Sequence, residues 1–140
     1  MRLIHMNTVE EAYQELAKSV LDFIGERAWD LGVCTSTIYS KMASSSKYLI
    51  ANNVKNTKAL GWPDSSIDTG GAALFLRDDL LRTTGQRIWG LTFTLFPDGQ
   101  FKIEYDYNKP EGYEESDEVI TGDEINASLA GLTEQDKKPD

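Results

Sequence analysis

Cysteine occurs once in the 140 residues, at Cys34, and histidine once, at His5. A single cysteine excludes an internal disulfide, and the two residues together are too few for a zinc site of the usual Cys/His kind. The same scarcity works against nucleophilic catalysis. A Ser/His/Asp or Cys/His arrangement has to use His5, which precedes the first predicted helix, or Cys34, which falls in a predicted strand where a small buried thiol is common. No apolar run approaches the ~18 residues of a membrane span. The opening "MRLIHMNTVEEAYQ" has no apolar core of signal-peptide length, so the predicted location is cytoplasmic. With 11 glycines, 4 prolines and no repeat of fixed period, the chain reads as one domain over 1–132, followed by a polar, disordered tail over 133–140.

Basic residues are scarce in one place only. Residues 1–103 hold 11 Lys/Arg and 11 Asp/Glu, whereas residues 104–140 hold 3 and 12, so the whole net charge of −9 lies in the last quarter. That asymmetry suggests a solvated acidic tail that helps solubility or an acidic interaction surface, and argues against direct nucleic-acid binding, which needs cations to neutralise phosphates. The acidic stretch "EYDYNKPEGYEESDE" lacks the ligand spacing of a calcium loop. "DTGGAA" at 68–73 has neither the spacing nor the lysine of a phosphate loop, and its glycines suit close packing instead. No metal and no cofactor is expected.

Asn7, with Glu10 three residues on, is the expected cap of a first helix over about 8–26, whose Val9, Tyr13, Leu16, Val20 and Phe23 recur at helical spacing. "AWDLGVCTSTIYSKM" and "KYLIANNV" read as two antiparallel strands joined by the polar "ASSS". Beyond a loop marked by Gly61 and Pro63, Ile67, Leu74 and Leu81 at sevenfold spacing, with Leu76 and Leu80, predict a second helix stopping near Gly85. A last short helix is expected in "TGDEINASLAGL", capped by Thr121 or Asp123.

For the hairpin between these helices, turn chemistry and alternation can be tested against each other. A two-residue turn at Asp98–Gly99 sets Leu95 opposite Lys102 and Phe93 opposite Glu104, mixing apolar and charged residues on one side. A three-residue loop of Pro97, Asp98 and a left-handed Gly99 pairs Leu95 with Phe101, Phe93 with Ile103 and Leu91 with Tyr105, which makes one face wholly apolar. The other face then carries Thr92, Thr94, Lys102, Glu104 and Asp106. The expected architecture is α+β, with helices on one face of a four-stranded antiparallel sheet, in the order α-β-β-α-β-β-α.

"IWGLTFTLFPDGQFKIEYDY" with the exit "KPEGYEESDE" resembles the C-terminal signature of the YezG-type immunity proteins, antitoxins encoded beside secreted or contact-delivered bacterial toxins, many of them nucleases. The likeness is close over about 86–118 and looser over the first helix and "ERAWDLG". Between Ser44 and Asp68 this chain is shorter and more polar than the family pattern. The resemblance implies a protein that binds and blocks a cognate toxin and performs no catalysis. Set beside the charge map, it makes the expected partner a basic nuclease domain. The expected contacts are Glu104 and Asp106 on the sheet, and Glu111, Glu114, Glu115, Asp117 and Glu118 after it, with Tyr113 as aromatic anchor. The alternatives are a small hydrolase using Asp and Glu, and an acidic adaptor with no nuclease partner.

Overall fold

The computed structural model describes residues 6–110. Two helices lie on one face of a five-stranded, wholly antiparallel sheet: α1 (Val9–Ile24), β1 (Leu31–Ile38), β2 (Ala43–Ala51), β3 (Val54–Asn56), α2 (Thr69–Thr84), β4 (Gly90–Leu95) and β5 (Phe101–Asp106), with sheet order β3-β2-β1-β4-β5. The expected class is correct and the strand count is one short. The expected helix in "TGDEINASLAGL" lies outside the described residues.

Helix α1 starts one residue later than the Asn7 reading. Thr8 is the cap: its hydroxyl accepts from Glu11 N at 3.2 Å, and the Glu11 carboxylate accepts from Thr8 N at 3.3 Å and Asn7 N at 2.6 Å. Gly25, at φ 62°, ends it. The buried stripe is Ala12, Leu16, Val20 and Ile24, and it also takes in Glu15 and Ser19. Close packing on the sheet depends on Gly32, where a Cβ would lie 2.5 Å from Val20 and 2.8 Å from Ile24.

The "ASSS" segment is strand, not connection. Ala43 pairs with Ile38, and the link is Tyr39–Met42, closed by Tyr39 N donating to Met42 O at 2.8 Å. Helix α2 packs over the start of β2, where a Cβ on Gly70 would lie in ordinary contact, 3.7 Å from Ala43 O. Arg77 on α2 donates to Tyr39 O and Ser40 O, and so ties this turn to the helix. The run "KYLIANNV" is interrupted by Asn52 and Asn53 at φ 53° and 64°. Two successive left-handed residues make a two-residue hairpin turn whose twist matches its strands, so the chain doubles back and β3 becomes the fifth strand.

In α2, Asp68 caps the start by accepting from Gly71 N at 2.8 Å, and a Cβ on Gly71 would overlap that carboxylate. The sevenfold pattern misreads its inner face. Ala72, Ala73 and Leu76 are buried, while Leu81 is 45% exposed. The helices are joined by charge as well as by apolar contact, since the buried Glu15 carboxylate accepts from Asp68 N at 2.9 Å.

The β4–β5 hairpin has the three-residue loop. Leu95 pairs with Phe101, Phe93 with Ile103 and Leu91 with Tyr105; Gly99 is left-handed at φ 89°, and Phe96 N donates to Gln100 O at 2.8 Å. Leu91, Phe93 and Leu95 are buried in the core with Cys34, Ile38 and Leu49, and Phe101 stacks on Phe93 at 5.0 Å.

Candidate functional site

The hairpin register decides where the acidic residues point. With Phe101, Ile103 and Tyr105 facing the helices, Lys102, Glu104 and Asp106 project from the opposite face of the sheet, and all three are exposed. Their backbone is paired to β4, whose inner side chains Leu91, Phe93 and Leu95 are buried in the core, so these carboxylates stand on an anchored strand. Asp106 is fixed further. Its carbonyl accepts from Trp89 N at 2.7 Å, and one carboxylate oxygen accepts from Asn108 N at 2.9 Å, which turns the chain out of the sheet.

Pairing across the sheet extends this edge into a surface. Ser46, Thr35, Thr92 and Glu104 form one cross-strand row, and Ser44, Thr37, Gly90 and Asp106 the next. Along these two rows the outer face is therefore a strip of hydroxyls that ends in carboxylates at the β5 edge. Such a strip offers hydrogen bonds and negative charge without a cleft. The sequence reading found the carboxylates and missed the hydroxyl rows, because Ser44 and Ser46 were assigned to a loop; the alternation of Thr35 and Thr37 was the available signal. Of the eight expected contacts, the structure brings Glu104 and Asp106 together. Glu111, Tyr113, Glu114, Glu115, Asp117 and Glu118 lie outside the described residues.

Cys34 is fully buried among Ser19, Ser36 and Ser45. Burial pushes its thiol above the ordinary value, outweighing the nearby Lys47 charge and the hydroxyl hydrogen bonds. A neutral, shielded thiol is a poor nucleophile. His5 lies outside the described residues. Among the described residues no three His, Cys, Asp or Glu side chains are grouped to hold a metal ion, and no helix is long and apolar enough to cross a membrane.

A second feature escaped the sequence reading altogether. Trp62, in the loop between β3 and α2, is 98% exposed. Its loop is well anchored: Arg27 donates to Lys58 O at 2.7 Å, and Asp64 N donates to the Asp22 carboxylate at 3.1 Å. The Asp64 carboxylate accepts from Ser66 N and Oγ, which lowers its pKa. Trp62 flanks a pocket of about 60 Å³ lined by Ser19, Asp22, Phe23, Lys47 and Leu60. That is far below the roughly 300–1,000 Å³ of small-molecule sites. "LGWPD" marked this stretch as a loop, but nothing in it distinguishes an exposed indole from one folded inward.

No protein-family model matches the chain, and no curated protein matches it.

Proposed function

We propose that the protein is an immunity protein of the YezG type, a binding module that neutralises a cognate bacterial toxin, with a basic nuclease domain as the expected partner. The observation that carries this reading is the exposure of Glu104 and Asp106, side by side on the outer face of a hairpin fixed by its core register, at the head of a segment carrying the whole net charge of the chain. A nuclease presents cations to phosphate, and a rigid negative face can cover that surface while drawing it in by long-range attraction. The hydroxyl strip beside the carboxylates supports a protein partner, since it supplies directional hydrogen bonds next to the negative charge. The hydrolase reading gains no support from this geometry, because the two carboxylates stand on an open sheet and not in a cleft.

Trp62 favours a second docking mode for the same function. Tryptophan is enriched among the residues that dominate protein interfaces, and a nearly bare indole on an anchored loop is already organised to bind. It lies on the helix side of the sheet, so the two modes are separable. The test is growth protection and direct binding against the toxin domain encoded by the neighbouring reading frame, comparing Glu104→Gln/Asp106→Asn with Trp62→Ala. Loss of protection in the first variant alone supports the acidic face. Loss in the second alone moves the contact to the helix side, and full protection by both removes the proposal's structural basis.

A further inference from the structure

Among the described residues, strand β5 closes one edge of the sheet, and its own sequence is complementary to itself. Phe96 N donates to Gln100 O, so the hydrogen-bonded pairs along the hairpin are 96–100, 94–102 and 92–104. The N–H and C=O groups of Phe101, Ile103 and Tyr105 accordingly point away from β4. Phe101 is 42% exposed, and Lys102, Glu104 and Asp106 are exposed. From Phe101 to Asp106 the strand has no proline and no glycine to blunt it.

We propose that a second copy of this chain docks on this edge, the two β5 strands pairing antiparallel about a two-fold axis at Ile103. The outward amides allow a symmetric register centred on any residue from Phe101 to Tyr105; centring on Phe101 runs the partner strand into the loop over 97–99, and centring on Tyr105 sets Glu104 against Asp106. Centred on Lys102, the pairing sets Lys102 against itself. Centred on Glu104, it sets Glu104 against itself. Centred on Ile103, it places each Lys102 opposite the other copy's Glu104, twice, and Phe101 opposite Tyr105, with Ile103 meeting Ile103 on the dyad. Only the last makes every cross-strand pair favourable, with opposite charges on the outer face and apolar or aromatic side chains on the inner. An axis perpendicular to the sheet leaves both helix layers on the same side and joins the two outer faces into one ten-stranded surface. The half-exposed Phe101 then acquires an aromatic neighbour beyond Phe93 and Tyr13, which already lie at 5.0 and 5.2 Å.

The contact needs no toxin, so its test is independent of the proposed function. Sedimentation velocity of the purified full chain over roughly 10 μM to 1 mM, the range suited to so small an interface, is expected to show a concentration-dependent dimer. Lys102→Glu and Glu104→Lys singly put like charges opposite each other at two places and are expected to weaken dimerisation by about tenfold or more. The double reversal restores opposite charges in this register alone, and should return the dimerisation constant to within about threefold of the parent. All of the altered side chains are exposed, and thermal melting checks that each variant keeps its fold. A parent that stays monomeric to 1 mM overturns the proposal. So does a double reversal no better than the single ones, which would mean another register or another occupant of the edge, such as residues 111–140 or a strand from a different protein.

Discussion

Replacing Phe93 with alanine is the severest test of the hairpin register. Phe93 is fully buried in β4, lies between Cys34 on β1 and Ile103 on β5 in register, and stacks on Phe101 at 5.0 Å with the rings 25° apart. Removing the ring takes away its transfer free energy and leaves a cavity that close-packed neighbours fill only in part, for a cost of about 3–5 kcal/mol. Lost ring pairing contributes about 0.5–1.5 kcal/mol of that. Against a total stability of about 5–15 kcal/mol, such a variant is marginal. Urea unfolding with a slope near 2 kcal/mol/M should show its midpoint lowered by roughly 1.5–2.5 M. Ile103 pairs with the same residue but lies on the edge strand and is only half buried. Its alanine variant should cost about 2 kcal/mol and shift the midpoint by about 1 M. A Phe93→Ala midpoint within about 0.5 M of the parent would refute the packing argument, as would a larger shift for Ile103→Ala.

Glu15→Ala should cost about 1.5–3 kcal/mol, because it removes a buried charged acceptor from Asp68 N; Glu15→Gln, which still accepts, should recover at least half of that in the same urea assay. Gly71→Ala should cost about 1–2 kcal/mol by displacing the Asp68 cap of α2, visible as a lower melting temperature, whereas Gly61→Ala, with open space around it, should be near neutral. At pH 8, alkylation of Cys34 in the native protein should be at least about 100-fold slower than in denaturant, since the thiol is both buried and held neutral. Its folded pKa is raised, so the unfolded chain loses this proton first. Stability from this group is present below the unfolded value and falls as pH rises through it and beyond pH 9, and Cys34→Ser should remove that decline.

The hairpin was legible because two independent local signals, a Pro-Asp-Gly loop and strict alternation, admit one common register. Elsewhere a single signal misled. Serines 44 to 46 read as a connector on composition, yet they are strand because Thr37, Ser36 and Thr35 of β1 supply their backbone partners. Asn52–Asn53 carried a turn signal of its own, since asparagine tolerates the left-handed region, but it sat at the end of a β-rich run and was absorbed into it. Leu81 matched a heptad and is exposed, because α2 meets the sheet through its alanines. Glu15 carries no local signal of burial, and its role depends on Asp68, a residue 53 positions away. The site follows the same logic. Which face Glu104 and Asp106 occupy follows from alternation, and the alternation of Thr35 and Thr37 is the local trace of the hydroxyl rows, whereas the cross-strand pairing that joins those rows to the carboxylates and the exposure of Trp62 arise from long-range packing.

The most direct measurement is the binding kinetics of the proposed partner, a toxin domain encoded by a neighbouring reading frame, to the parent and to Glu104→Gln/Asp106→Asn at about 50 and 200 mM salt, conditions between which the screening length falls by about half. The account predicts a parental association rate that drops several-fold with added salt. It also predicts that the variant, lacking strand-held carboxylates, dissociates faster by a factor corresponding to about 2–5 kcal/mol of lost affinity. Parental rates for the variant at both salt concentrations would contradict it and place the toxin on another face of the protein.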